Sequence, residues 1–208
     1  MGACEITIIK NNRIMAAANP IAFCSRFRQL QLLTILLLLL SGQTQASGIN
    51  IVSASTYNNE GSYQLNADIR YELSDEVLEA LNNGIAITLK LTIKVKRPRP
   101  YWWDETITTL FQRYTLRYHA LSGQYIVQFL NSEEQRSYLS LSSALRTIGQ
   151  IRELVILDNE IIKISKNMTV QLHSELDTNA LPAPLRPAAW LSSGWKLSSE
   201  WYTCPLQS

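Results

Sequence analysis

The run Lys94-Val95-Lys96-Arg97-Pro98-Arg99-Pro100-Tyr101-Trp102-Trp103-Asp104 concentrates the most distinctive chemistry of this chain. Arg97 and Arg99 carry planar, permanently charged guanidinium groups that grip anions and stack on rings. Tyr101, Trp102 and Trp103 add apolar faces with a polar edge. Such a mixture can bind a protein partner, an anionic headgroup, or a polymer with apolar faces such as a glycan. In an intracellular protein it would also suit single-stranded nucleic acid, whose bases stack on aromatic rings. The competing reading is structural: Trp102 and Trp103 fold back as core, and the arginines pair with Asp104, Glu105 or other surface acids.

Catalytic signatures are missing from the sequence. There is no Gly-x-Ser-x-Gly elbow, no phosphate-cradling glycine loop and no His-Glu-x-x-His. The two histidines, His119 and His173, fall on separate expected strands and on polar faces. A zinc site wants three or four ligands with local spacing, so both are read as surface residues. No catalytic residue, metal ligand or cofactor is expected, and the chain is read as a non-enzyme.

The elements that must position these residues are mostly strands. Tyr63 to Leu73 alternates strictly between apolar and polar, the pattern of a half-buried strand. Ser74 caps a short helix whose Val77, Leu78 and Leu81 form an apolar stripe, with Gly84 just past its end. Ile85 to Arg97 alternates again, with Ile85, Ile87, Leu89, Leu91, Ile93 and Val95 inward. Thr88, Lys90, Thr92, Lys94 and Lys96 face water, where the lysine row would keep a long strand from pairing with strangers. Pro98 and Pro100 end that strand. A further strand spans about Thr106 to His119, and a turn at Leu121-Ser122-Gly123-Gln124 returns the chain through Tyr125 to Phe129. Ser140 caps a second helix carrying Leu141, Ala144, Leu145 and Ile148, ended by Gly149. Leu154 to Leu157 reads as a short buried strand, and Met168 to Leu176 as another, with Val170, Leu172 and Leu176 inward. An extended crossing with Pro182, Pro184 and Pro187 follows, then a last strand carrying Trp195, Leu197 and Trp201. The fold expected is mainly β (α+β): an antiparallel sandwich-like or strongly curled sheet with two short helices.

Upstream, Arg26 and Arg28 precede the apolar run Leu30 to Leu40, and Ser41 to Ser47 supply small and polar residues. That is the layout of a secretory signal. The run is shorter than the roughly 20 residues that cross a bilayer core. Cleavage after Ala46 and retention as an inner-membrane anchor facing the periplasm are both compatible with it. Met15 offers a late start. The chain is therefore divided into a leader, 1–46, and one exported β-rich domain, 47–208. Without the leader, basic residues fall from 19 to 15 and acidic ones from 17 to 16, leaving a net charge of −1 in place of +2. A domain that seeks nucleic acid is not supported. Cys4 and Cys24 also leave, so Cys204 has no internal disulfide partner; a frayed, unpaired thiol is expected there, with a disulfide between chains as the alternative.

Several segments together carry a resemblance. Arg97 and Arg99 lead into Tyr101-Trp102-Trp103-Asp104. Gln112-Arg113-Tyr114 and Tyr118-His119-Ala120-Leu121 follow. Then come Leu176-Asp177-Thr178, Leu181-Pro182-x-Pro184-Leu185, and Trp195 with Trp201 near the end. Across essentially the whole expected domain the chain resembles the exported proteobacterial family catalogued as domain of unknown function 4390. The resemblance implies a single periplasmic or membrane-anchored domain. It also implies a gene neighbourhood with a sensor kinase, and it brings no assigned activity. Asp104, Tyr118, His119, Asp177, Leu181, Pro182, Pro184, Leu185, Trp195 and Trp201 are signature residues of structural character.

Two functions follow as expectations. One is a non-enzymatic envelope module that binds a protein partner, a membrane sensor being one candidate. The other is a binder of an envelope glycan or lipid headgroup. Both use Arg97, Arg99, Tyr101, Trp102 and Trp103. The orientation of the rings separates binding from packing.

Overall fold

Two alternating rows of side chains become the facing walls of the core. Tyr63, Leu65, Ala67, Ile69 and Tyr71 are buried along one strand, and Ile87, Leu89, Leu91, Ile93 and Val95 along another. Each of the Leu, Ile and Val side chains among them stabilises the fold by about 1.5–3 kcal/mol when fully withdrawn from water. The computed structural model describes residues 48–59, 61–158 and 167–206, and all of these fall in one compact unit.

In chain order the elements are β1 (Gly48–Asn59), β2 (Ser62–Glu72), α1 (Asp75–Asn82), β3 (Ile87–Arg97), β4 (Glu105–His119), β5 (Gln124–Phe129), β6 (Glu134–Tyr138), α2 (Leu141–Gly149), β7 (Gln150–Asp158), β8 (Thr169–Leu176), α3 (Arg186–Leu191) and β9 (Tyr202–Pro205). Two antiparallel sheets result, one with order β1-β2-β7 and one with order β6-β5-β4-β3-β8-β9. The Tyr71 hydroxyl, on β2, lies 3.1 Å from the Ser174 hydroxyl, on β8, and ties one sheet to the other inside the core. The Thr56 hydroxyl on β1 donates to the Pro205 carbonyl on β9 at 3.0 Å. Among the described residues the architecture is the expected mainly β, antiparallel one, and neither sheet closes into a barrel.

Both expected helices form where their caps predict. Ser74 accepts from the Val77 amide and Ser140 from the Ser143 amide, each satisfying a donor that the first helical turn leaves free. Gly84 follows α1 with φ +80°, the left-handed region that glycine tolerates.

Other expectations are corrected. The lysine row does not guard an edge. β3 is paired on both sides, with β4 and with β8, and its polar face is itself covered. Thr88 and Thr92 are buried there, and Lys90 and Lys94 are only half-exposed. The proline crossing is not extended. Pro184 sits in a 3-10 turn over Ala183–Leu185, and Pro187 lies in the first turn of α3, where its missing N–H costs nothing. The last strand is not built on Trp195, Leu197 and Trp201. Trp195 ends a 3-10 turn, Ser198 makes an isolated bridge to Glu175, and β9 begins only at Tyr202. Leu154 to Leu157 belongs to the longer β7, where Ile156 and Leu157 are buried but Val155 is half-exposed. Cys204 is neither frayed nor accessible: it is buried on β9 opposite Val170, and burial pushes its thiol up to about 11. The features expected of the leader (Leu30 to Leu40, the late start at Met15, cleavage after Ala46, Cys4 and Cys24) lie outside the described residues.

Candidate interaction site at a hairpin tip

The β3–β4 hairpin carries the Arg–aromatic run to its tip. Its ladder ends at the pair Arg97↔Glu105, just before Pro98, which can donate no ladder hydrogen bond. At that last rung the Arg97 Nε donates to Glu105 Oε2 at 2.9 Å, and its Nη2 contacts the same oxygen. Arg99 Nη2 reaches that oxygen too, at 2.5 Å. Hydrogen bonds from Arg97 and then Arg99 hold the Glu105 carboxyl below the usual carboxylate range. One carboxylate thus gathers two guanidinium groups at the neck of the loop.

Beyond the neck the aromatic residues point outward. Tyr101, Trp102 and Trp103 are exposed by 103%, 74% and 86%. The turn is held by the Trp102 amide, which donates to the Arg99 carbonyl at 3.4 Å. Tyr101 adopts φ +66°, a left-handed conformation uncommon for a bulky residue. The reading in which the tryptophans fold back as core is therefore overturned, while the pairing of the arginines with Glu105 is as that reading had it. Asp104 is exposed and takes no part in the clamp.

The remaining signature residues are scattered through the framework. Tyr118 packs against Tyr125 with ring centroids 4.9 Å apart. His119 is exposed, its Nδ1 3.0 Å from the Ser122 hydroxyl in the turn after β4. Asp177 accepts from the Asn179 amide at 3.1 Å, and its own amide donates to the Thr88 carbonyl at 2.8 Å. Leu181 is buried and Leu185 half-buried, whereas Pro182 and Pro184 are exposed at the turn that Leu185 closes onto the Pro182 carbonyl. Trp195 is buried and Trp201 half-exposed.

One cluster escapes the sequence reading. On the outer face of the six-stranded sheet, Trp201 stacks on His173 with centroids 4.8 Å apart, and Lys94 Nζ lies 4.6 Å from the Trp201 ring centroid. His173 Nε2 is 3.6 Å from Glu175 Oε2, and Lys90 Nζ is 2.5 Å from Glu175 Oε1. His173 is half-buried rather than a surface residue, and its Nδ1 has no hydrogen-bond partner among the described residues. The outward parity of Lys90, Lys94 and His173 is visible in the sequence. That they share one face depends on β3 pairing with β8, which is not.

Comparison with known proteins adds the family. Residues 46–205 match the family described as Domain of unknown function (DUF4390). The chain belongs to this family. The match takes in every strand of the DUF4390 domain, from β1 to β9, together with the hairpin tip. No curated protein and no solved structure matches the chain. Within the described part of the DUF4390 domain there is no cluster of three or more His, Cys, Asp or Glu residues placed to hold a metal ion. No helix there is long and apolar enough to cross a membrane.

Proposed function

We propose that this DUF4390 protein is a non-enzymatic, exported docking module of the cell envelope that engages a protein partner through the β3–β4 tip. The observation that carries the reading is the exposure of Tyr101, Trp102 and Trp103 together at the end of a hairpin. Exposed large aromatic rings beside arginine are the residues that dominate binding energy at protein interfaces when they enter a partner's pocket. Glu105 supports the same use. By holding Arg97 and Arg99 it fixes the neck, so less freedom is lost on binding. Placement in the periplasm rests on the leader pattern around Leu30 to Leu40. A membrane sensor is the partner class that the family resemblance suggests.

The test is crosslinking in intact cells with a photo-reactive residue at position 102. A discrete crosslinked band that disappears with Trp103→Ala is the expected result. Only uncrosslinked protein, under conditions where the protein is required, overturns the reading.

A second reading has its own observation. Lys96, Arg97 and Arg99 immediately precede the rings in the chain, as expected for a tip that rests on anionic headgroups or a charged glycan. It requires Trp102→Ala and Arg99→Ala to reduce retention on isolated lipid or cell wall while the fold is kept. Equal retention of both variants and the parent protein defeats it.

A further inference from the structure

A second candidate site lies on the three-stranded sheet, away from the hairpin tip in sequence and in sheet. Between α2 and the β1–β2 pair there is an open cleft of about 660 Å³, within the size range of small-ligand sites. Its floor and walls are apolar: Val52, Ile69, Leu141 and Leu145 line it. Two guanidinium side chains, Arg70 and Arg146, line it as well.

Three features built into the backbone create this space. First, β1 carries a bulge. Ile51 pairs with Ile69 and Ser53 with Asp68, so Val52 is the extra residue, and its side chain is half-exposed at the cleft. Bulges re-aim side chains in this way, often beside binding sites. Second, the pairing of β2 with β7 ends at Asp68↔Gln150, so β7 does not cover Ile69 to Tyr71 and the cleft opens there. Third, Gly149 brings the end of α2 against β2: a Cβ at that position would lie 2.0 Å from the Ile69 carbonyl oxygen.

The charges bear on what could occupy the cleft. Asp68 also lines the cleft, but its carboxylate is already engaged by Arg152 Nη2 at 2.6 Å and by the Ser53 hydroxyl at 3.3 Å. Arg70 and Arg146 have no ion-pair partner among the described residues. An apolar trough with two guanidinium groups outside any ion pair suits a ligand with an apolar chain and an anionic head, because a guanidinium matches carboxylate or phosphate geometry with paired donors. We propose that this cleft binds an anionic single-chain amphiphile, with the chain along Val52, Leu141 and Leu145 and the head between Arg70 and Arg146.

The proposal is tested on the whole chain with dodecanoate below its micelle concentration, followed by methyl NMR and calorimetry, with dodecylammonium as the charge-reversed control. Dodecanoate is expected to shift the methyl signals of Val52, Leu141 and Leu145, and to bind at least tenfold more tightly than dodecylammonium. Arg70→Gln with Arg146→Gln is expected to remove that preference, and Leu145→Trp to block binding by filling the trough, both with unchanged backbone spectra. The Trp102→Ala variant is expected to bind dodecanoate normally, which separates this site from the hairpin tip. Equal binding of the two amphiphiles, shifts spread over the whole surface, or binding that survives Leu145→Trp in a folded protein overturns the proposal. So does preferential saturation of the same methyl groups by an apolar peptide ending in a free carboxylate, because the occupant would then be a protein terminus.

Discussion

Tyr71 and Ser174 stand 103 residues apart in the chain and 3.1 Å apart in space, hydroxyl to hydroxyl, in a part of the core where both are buried. Neither hydroxyl can be left without its partner cheaply, because a buried polar group that loses its hydrogen bond keeps the cost of having left water. Tyr71→Phe is therefore expected to lower stability by about 1–2 kcal/mol. Ser174→Ala should cost a similar amount, and the double variant clearly less than the two together. Urea unfolding of the three variants measures this. Strict additivity would mean that the two hydroxyl groups do not interact.

Alkaline pH should loosen the fold earlier than the charge balance alone suggests. Burial pushes Tyr71 up to about 12, with slight relief from Ser174, and pushes Cys204 up to about 11. Tyr114 is raised as well, first by burial and then by its proximity to Tyr71. In each case the folded value lies above the unfolded one. The neutral forms therefore contribute their full stability at neutral pH, and that contribution is lost as pH rises, from about 9 to 11 for Cys204 and from about 10 to 12 for Tyr71. For Tyr71 the difference corresponds to about 3 kcal/mol. The urea midpoint is expected to be flat from pH 7 to 8 and to fall steeply above 10. Cys204→Ala should remove the first part of the fall, and a midpoint unchanged at pH 11 would contradict the assignment.

Gly149 admits no side chain. A Cβ there meets the Ile69 carbonyl oxygen at 2.0 Å, and that oxygen belongs to the backbone of β2, whose Ile69 is in register with Ile51 of β1. Relief requires α2 to move off β2. Gly149→Ala should cost about 2 kcal/mol or more, whereas Gly48→Ala, with open space around its Cβ position, should be near neutral. Thermal unfolding of the pair distinguishes a packing requirement from a general dislike of alanine.

How far the sequence discloses this molecule depends on whether its signals are local. β2, β3 and β8 alternate cleanly because one face of each is core, and their limits are readable to within a few residues. Ser74 and Ser140 announce their helices because capping is a local hydrogen bond. β1 is hidden by its bulge at Val52 and by a polar second half, so its period breaks in the middle. β6, with Glu134, Gln135, Arg136 and Ser137 all exposed, has no apolar row to announce it. The C-terminal region misleads through composition: prolines suggest extended chain, yet Pro187 starts a helix. At the hairpin tip the residue types are plain in the sequence. Their outward orientation is not, since it depends on where the ladder stops. The cleft beside α2 is illegible for a stronger reason: it is made from a bulge, a missing rung and a glycine contact, none of which leaves a periodic trace.

The placement of β3 between β4 and β8 has a mechanical consequence. The aromatic tip sits at the end of long antiparallel strands, and β3 is hydrogen-bonded along almost its whole length on both sides. A pull on the tip runs parallel to those strands, so the rungs of the ladder share the load and must slip together. Had the tip hung from an edge strand, the same pull could unzip one rung at a time. Tension applied at Trp102 would therefore reach the middle of the larger sheet without tearing the hairpin from it.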